Sequence, residues 1–248
     1  MIKNHTQDQH FLTDKKILKE IIKVSALKKS DLVLEIGPGR GILTRELAKK
    51  AKVTAVEIDE KLKPYLEDIP AEIIYDNALI KIDKVKFNKI VSNIPYSISE
   101  PLIKKLTKID FNLAVLLTGK KFYEALTDED SKLYYLNKIF FDTKKIMDVP
   151  KESFEPVPRV NSTLILIKKR KSRLLNKDKI IKELILQDDK KLKNALINSF
   201  IRVYDLTKFE AKQKTYSLRI PIMLFEKNTD NLSNEEFKKI IKEIEKLT

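Results

Sequence analysis

Residues 32–41 read Leu32-Val33-Leu34-Glu35-Ile36-Gly37-Pro38-Gly39-Arg40-Gly41, and the architecture follows from them. Five mostly apolar residues without a helical period predict a buried strand. Three glycines in the next five positions predict a turn whose backbone can approach a ligand closely. The apolar pattern then becomes helical, over Arg40–Lys50. The chain has only four glycines in 248 residues, so three in one turn mark a constraint and not composition. The spacing is G-x-G-x-G. Ile42 occupies the third glycine position of the dinucleotide pattern G-x-G-x-x-G, which counts against a nicotinamide cofactor.

Working outward, short β-branched runs recur at Leu32–Ile36, Val53–Ile58, Glu72–Tyr75, Lys89–Ile94, Leu113–Leu117, Lys145–Val149 and Thr163–Ile167. Helical patterns at Arg40–Lys50, Glu60–Asp68 and Ser99–Thr107 lie between them, and Asp14–Leu27 reads as an amphipathic helix before the first strand. Such alternation predicts an α/β fold, a Rossmann-like parallel sheet with helices on both faces. The last two strands are joined by Pro150–Asn161, too short for a crossover helix, so they should pair antiparallel at the sheet edge. After Lys168-Lys169-Arg170-Lys171-Ser172-Arg173 only helical patterns follow, at Ile180–Gln187, Lys190–Tyr204, Lys208–Lys212 and Asn234–Lys246. Ser233 with Glu236 predicts a capping box for the last. Two domains are expected, 1–170 and a small all-helical 171–248.

Strand ends in such sheets carry ligands. The first end is the glycine turn. The second, Val56-Glu57-Ile58-Asp59, offers a carboxylate 20 residues after Gly37, suited to ribose hydroxyls. The third, Tyr75-Asp76-Asn77-Ala78, offers polar groups that could read an adenine edge. The fourth is Asn93-Ile94-Pro95-Tyr96, before a helix start at Ser97-Ile98-Ser99. The Asn93 side-chain oxygen and the Ile94 carbonyl can each accept one proton of an amine. Pro95 fixes the backbone that aims that carbonyl. Tyr96 can stack on a planar ring. A plain Asn-x-Pro turn with a core tyrosine, and a surface ion-pairing Glu57, are the alternatives. No phosphate-binding P-loop lysine is present. An adenosine without phosphates that carries a transferable methyl, S-adenosylmethionine, fits these strand ends.

The net charge is +14, and residues 168–248 carry 21 Lys and Arg against 12 Asp and Glu. That excess predicts a polyanionic partner, nucleic acid foremost, with Lys168, Lys169, Arg170, Lys171 and Arg173 expected on the RNA backbone. A compositional bias of the genome or habitat is the alternative. With no cysteine and two histidines near the N-terminus, no metal site is expected. No apolar run is long enough to span a membrane and the opening residues do not form a signal peptide, so a cytoplasmic, soluble protein is expected; a monomer is the further expectation.

Taken together, these motifs resemble the small-subunit ribosomal RNA adenine N6,N6-dimethyltransferase family over nearly the whole chain. Gln9-His10-Phe11-Leu12 resembles its Q-[NH]-F-L signature, with the histidine of archaeal and eukaryotic members. Glu35-Ile36-Gly37-Pro38-Gly39 resembles its E-I-G-P-G turn. Asn93-Ile94-Pro95-Tyr96-Ser97-Ile98-Ser99 resembles its N-[LI]-P-Y-x-I-S segment, and Phe154-Glu155-Pro156-Val157-Pro158-Arg159-Val160-Asn161-Ser162 its F-x-P-x-P-x-V-x-S loop. The last two are highly specific together. The resemblance implies S-adenosylmethionine contacts from His10, Leu12, Gly37, Gly39, Glu57, Asn77 and Asn93. It implies catalysis at Asn93, Ile94, Pro95 and Tyr96, with Phe154 covering the face of the base opposite Tyr96. The implied substrate is an adenosine pair in small-subunit rRNA, within an immature small ribosomal subunit.

Three departures stand out. The family has Gly-Asp-Ala where this chain has Asp76-Asn77-Ala78. Thr118–Tyr123 and a short Thr127–Ser131 replace its Gln-Lys/Glu-rich helix and tyrosine loop. Asp188-Asp189-Lys190-Lys191 replaces a basic stretch. Three other readings stay open: a large-subunit rRNA methyltransferase conferring antibiotic resistance, a DNA adenine methyltransferase, and a ribosome-assembly factor that binds RNA without methylating it. The glycine turn and C-terminal region favour the small-subunit group over the first, and the Phe154 loop argues against the second.

Overall fold

The computed structural model describes residues 9–171, 173–187 and 189–247. Contacts divide them into two compact units, one running to Glu124 and resuming over Phe141–Lys169, the other combining Ala125–Phe140 with the chain from Arg170 onward.

The first unit opens with β1 (Phe11–Leu12) and α1 (Lys15–Val24). Asp14 starts α1 by accepting the Lys16 and Ile17 N–H groups on its side chain, and Ile17, Leu18 and Ile21 turn inward. The sheet follows: β2 (Leu32–Ile36), α2 (Ile42–Ala48), β3 (Lys52–Glu57), a 3-10 turn at Glu60–Leu62, α3 (Lys63–Leu66), β4 (Glu72–Tyr75), α4 (Ala78–Lys81), β5 (Lys89–Asn93), a 3-10 turn at Tyr96–Ile98, α5 (Ser99–Leu106) and β6 (Leu113–Gly119). After α6 (Lys120–Thr127) and α7 (Lys132–Phe140) come β7 (Phe141–Val149), β8 (Phe154–Glu155) and β9 (Ser162–Lys169).

The strand order is β4-β3-β2-β5-β6-β9-β7. β4 to β6 run parallel, and β9 runs antiparallel between β6 and β7, as the short connection requires. Every residue of β6 is buried, the signature of a strand covered on both faces. Successive strands move outward in both directions from the β2–β5 pair. The crevice at their C-terminal ends is therefore the topological switch point.

Four differences from the sequence reading in this unit have a clear physical reason. The helix expected from Arg40 begins at Ile42, because Gly41 caps it in the left-handed region at φ 77°. The helix expected over Glu60–Asp68 is a 3-10 turn followed by α3, with Pro64 in its first turn. No element is expected between Leu117 and Lys145, yet α6 and α7 form there. Their aromatic-rich patterns suit helix and strand alike. Finally, β1 pairs antiparallel with β8 through Phe11↔Glu155 and Leu12↔Phe154. Two-residue strands far apart in sequence leave no periodicity to read.

The second unit joins α7 to α8 (Asn176–Leu186), α9 (Leu192–Tyr204), α10 (Lys208–Ser217), α11 (Ile222–Phe225) and α12 (Asn234–Glu245). The sequence predicts one crossing after residue 170, and Ala125–Phe140 makes a second excursion into the helical unit. Tyr135 meets Phe237 edge-on at 5.8 Å, and Lys132 Nζ donates to the Thr229 carbonyl at 2.9 Å. The capping box of Ser233 and Glu236 forms as expected.

One buried charge anchors the base of the sheet. Lys89 Nζ donates to the Ser25 and Ala26 carbonyls at 3.0 and 2.7 Å and pairs with Asp31 at 2.9 Å. Burial raises the Asp31 carboxyl, but Lys89, the Lys28 N–H and Asn88 outweigh it and hold it below its ordinary value. Lys89→Ala should therefore cost about 3–5 kcal/mol in urea unfolding, because Asp31 and two carbonyls lose their cation. The Asp31 contribution should fade as pH falls through its lowered native pKa.

Candidate active site

A cavity of about 750 Å³ opens at the switch point, lined at its floor by the ends of β2, β3, β4 and β5. The glycine turn rises from β2. Gly37 donates its N–H to the Val56 carbonyl at 2.9 Å, and its Cα faces the Pro95 ring. Gly39 sits at φ 60°, and a Cβ there would lie 2.8 Å from the Phe11 ring, so only glycine lets this turn pass beneath β1.

Glu57, at the end of β3, is 4% exposed. Its Oε1 accepts the Ile58 and Asp59 N–H groups at 2.9 and 3.0 Å, and its Oε2 accepts the Gly39 N–H at 3.1 Å. A carboxylate oxygen has two acceptor directions, so Oε2 keeps one for a ligand hydroxyl. Asn77, at the end of β4, caps α4 with Oδ1 on the Leu79 N–H at 2.9 Å.

At the end of β5, Asn93 Nδ2 donates to the His10 carbonyl at 3.0 Å. A carbonyl can only accept, so the amide orientation is set and Oδ1 is the acceptor it keeps for a ligand. The same logic puts a hydrogen on His10 Nδ1, which lies 2.8 Å from the Pro156 carbonyl. Ile94 donates its N–H to the Leu117 carbonyl at 3.0 Å, closing the β5–β6 ladder, and Pro95 follows with no N–H. The Tyr96 hydroxyl meets Ser162 Oγ at 2.5 Å, and its ring lies against Gly119, where a Cβ would stand 3.4 Å away. Ser99 and Thr118 share a hydroxyl contact at 3.0 Å.

His10, Leu12, Gly37, Gly39, Glu57, Asn77, Asn93, Ile94, Pro95 and Tyr96, all expected from the sequence, thus line one cavity. Phe154 does not. It is 2% exposed, lies opposite Leu12 in the β1–β8 pair and packs in the core, so covering a base would require β8 to move. On the cavity side the His10 ring lies tilted against Tyr96, with centroids 6.0 Å apart. Among the basic residues, Lys168, Arg170, Lys171 and Arg173 are exposed. Lys169 is committed to the Ile109 carbonyl at 2.7 Å and Asp110 at 3.0 Å. Lys191 and Lys193 both pair with Glu226, and Asp188 lies outside the described residues.

Three contributors were not assigned a role from sequence. Ile58 lines the cavity beside Glu57 with an exposed apolar face. Ser162, the last residue of the F-x-P-x-P-x-V-x-S loop, holds the Tyr96 hydroxyl. Glu35 lines the cavity yet is 1% exposed, and burial pushes its carboxyl up to about 8. The neighbouring Thr44 hydroxyl offsets part of that penalty, although no hydrogen bond of good geometry joins them, and Glu57 adds repulsion. Acidic residues near the ends of buried strands look alike in sequence; both are buried, and it is the three backbone N–H groups on Glu57, against an Oε2 without a partner on Glu35, that distinguish them.

A parallel-rich sheet with a glycine turn, a buried carboxylate and an oriented amide at its switch point is the architecture of Rossmann-like S-adenosylmethionine-dependent methyltransferases. A family model described as ribosomal RNA adenine dimethylase matches residues 2–246, and the chain belongs to that family of rRNA adenine methyltransferases. A protein named "Probable ribosomal RNA small subunit methyltransferase A" from Methanococcus maripaludis (strain C6) is 38% identical over 208 residues, covering 77% of this chain and 79% of its own. One of the same name from Methanococcoides burtonii is 34% identical over 257 residues, covering 96% and 92%. The crystal structure of a dimethyladenosine transferase from Plasmodium falciparum matches at TM-score 0.63 and 27% identity, over 96% of this chain and 98% of that one. The 23S rRNA methyltransferase ErmE shares the fold at TM-score 0.58 and 20% identity, over 95% and 100%.

Two expectations follow from this geometry. Glu35 binds its proton more tightly folded than unfolded, so it should lower stability as pH rises from about 4.5 to about 8. Across that window it should contribute a slope of up to about 1.4 kcal/mol for each pH step of one. Glu35→Gln should remove that slope and flatten the unfolding free energy. Denaturant melts at pH 5 and pH 8 measure the difference. For Tyr96, a net hydrogen bond of about 1 kcal/mol predicts that Ser162→Ala or Tyr96→Phe slows methyl transfer about 3–10-fold. The double variant should be no slower than either single one, which a double-mutant cycle tests.

Proposed function

We propose that this chain binds S-adenosylmethionine across the ends of β4, β3, β2 and β5 and transfers two methyl groups in turn to the N6 amine of adenosines in small-subunit rRNA. When bound, the cofactor supplies an electrophilic methyl on a sulfonium. The chain's own residues do the rest. Glu57 Oε2 takes ribose hydroxyls, and Ile58 offers an apolar face to the base. Gly37 and Gly39 let the turn backbone approach the ligand.

The target amine is conjugated with its ring and is a weak nucleophile. Asn93 Oδ1 accepts one of its protons and the Ile94 carbonyl the other, which favours a pyramidal nitrogen with its lone pair toward the methyl. Positioning and preorganised dipoles then account for most of the acceleration. A base can reach this cavity only outside its stack, and Tyr96 offsets that cost with its ring face. The second methylation leaves one amine proton, so Asn93 and the Ile94 carbonyl then share a single donor.

The observation that carries this reading is the Asn93–His10 hydrogen bond, which leaves the amide oxygen, not the nitrogen, for the substrate. The small-subunit substrate is supported by the names of the curated relatives, with an immature small ribosomal subunit as the partner. Among the described residues no helix is long and apolar enough to cross a membrane. We assign the work to a monomer in the cytoplasm. The exposed Lys168, Arg170, Lys171 and Arg173 are the proposed RNA backbone contacts.

Tritiated-methyl transfer to immature small subunits tests the reading. Asn93→Ala should leave RNA binding nearly intact, since phosphate contacts dominate affinity, and lower transfer about a hundredfold or more. Transfer at the parent rate would sink the amine-orienting mechanism. A parent chain that binds subunits but transfers no methyl would replace the enzyme with a binding factor.

A further inference from the structure

The floor of the cavity holds a carboxyl that the proposed chemistry leaves unused. Glu35, on β2, is 1% exposed yet lines the cavity. Its Oε2 has no hydrogen-bond partner, and neither has the neighbouring Thr44 hydroxyl on α2. The Glu57 carboxylate on β3 repels it. The basic side chains lining the cavity are engaged elsewhere. Arg40 lies over the Phe11 ring at 4.6 Å and within 3.8 Å of Glu155, and the His10 ring bonds the Pro156 carbonyl. Asp76, the other acid of the cavity, pairs with Lys81. Three backbone N–H groups keep Glu57 ionised, whereas burial without a donor or a cation leaves Glu35 holding its proton.

The cofactor site proposed above, on which this inference rests, spans β4, β3, β2 and β5 in that order. Its ribose is at Glu57 on β3, and its methyl faces Asn93 on β5. The sulfonium then falls between those two strands, over the end of β2. Strands lie about 4.8 Å apart, so the cation and the Glu35 carboxyl are separated by roughly one to two such spacings. A cation at that range favours the ionised carboxyl, whose proton leaves to solvent as the ligand enters. The demethylated product keeps the base, the ribose and the amino-acid end but has a neutral sulfur, so it gains less from the same carboxyl.

We infer that Glu35 is a specificity determinant that senses the charge on the ligand's sulfur: it releases its proton when a sulfonium binds and so selects the cofactor over the demethylated product. The sign with pH follows. Free Glu35 holds its proton up to about pH 8, so below that value part of the sulfonium's gain is spent on expelling it. Selection should therefore strengthen as pH rises from 6 and level off above 8. After transfer the sulfur is neutral, Glu35 takes a proton back, and the product is held less tightly.

Isothermal titration of the full chain with S-adenosylmethionine and with S-adenosylhomocysteine, at pH 6 and pH 9, tests this. In the parent the ratio of the two affinities should move about tenfold toward the cofactor between the two values. Glu35→Gln keeps the shape of the side chain and cannot ionise, so its ratio supplies the baseline for the ligands' own amino groups and should move clearly less than the parent's. Titrations at pH 7 in two buffers of different ionisation enthalpy count protons. The parent should release more on binding the cofactor than on binding the product, and Glu35→Gln should lose that excess. A parent ratio that does not move with pH overturns the inference, as does a Glu35→Gln ratio that moves as the parent's does. Both results leave the cofactor site standing. Failure of both folded proteins to bind either ligand removes the cofactor site and the inference together.

Discussion

The Glu57 carboxylate, shared among three backbone N–H groups, holds the ligand-binding edge together. Two of its donors are the residues that follow it, and the third is Gly39 on a different strand's turn. The end of β3 and the glycine turn after β2 are thereby tied to one anion. Leaving a buried carboxylate without hydrogen-bond donors would be costly, which favours the turn position that presents the Gly39 N–H to Glu57. That position brings the Gly37 backbone against Pro95 and slides Gly39 beneath Phe11. Donors and acceptors held in place by such contacts are the kind of preorganised dipoles that contribute most to a reaction.

From that fixed turn the remaining constraints pass through β1. Phe11 covers Gly39, the His10 carbonyl orients Asn93, and the His10 ring reaches the Pro156 carbonyl. A segment of four residues thus links the glycine turn, the end of β5 and the loop around β8. Its own pairing is only two residues long, so it is stabilised by what it touches and not by its ladder. Tyr96 is fixed separately, by Ser162 at the start of β9 and by the absence of a side chain at Gly119. The amide that would orient a nucleophile and the ring that would hold a base therefore have independent supports.

Charge follows a different logic. The excess of Lys and Arg is a property of composition, but several of those cations have local anionic partners. Lys169 serves the Ile109–Asp110 loop, and Lys191 and Lys193 share Glu226. Within the run Lys168–Lys171, Lys169 is therefore set apart by its Ile109 and Asp110 partners from the exposed Lys168, Arg170 and Lys171.

Much of this molecule was legible in the order of its residues. The alternation of β-branched runs with helical patterns, the glycine cluster and the antiparallel final pair all depend on near-neighbour periodicity and turn chemistry. So do most of the site residues, because each ends a strand and strand ends in a parallel sheet must share one edge. Several features came only from the tertiary arrangement. The pairing of Phe11-Leu12 with Phe154-Glu155, the burial of Phe154 away from the cavity and the partnership of Ser162 with Tyr96 join residues more than 60 positions apart. The orientation of the Asn93 amide was equally hidden. A sequence records that an amide has one donor end and one acceptor end. Only the fold, by setting the His10 carbonyl beside the Asn93 nitrogen, decides that the oxygen is the end left for a ligand.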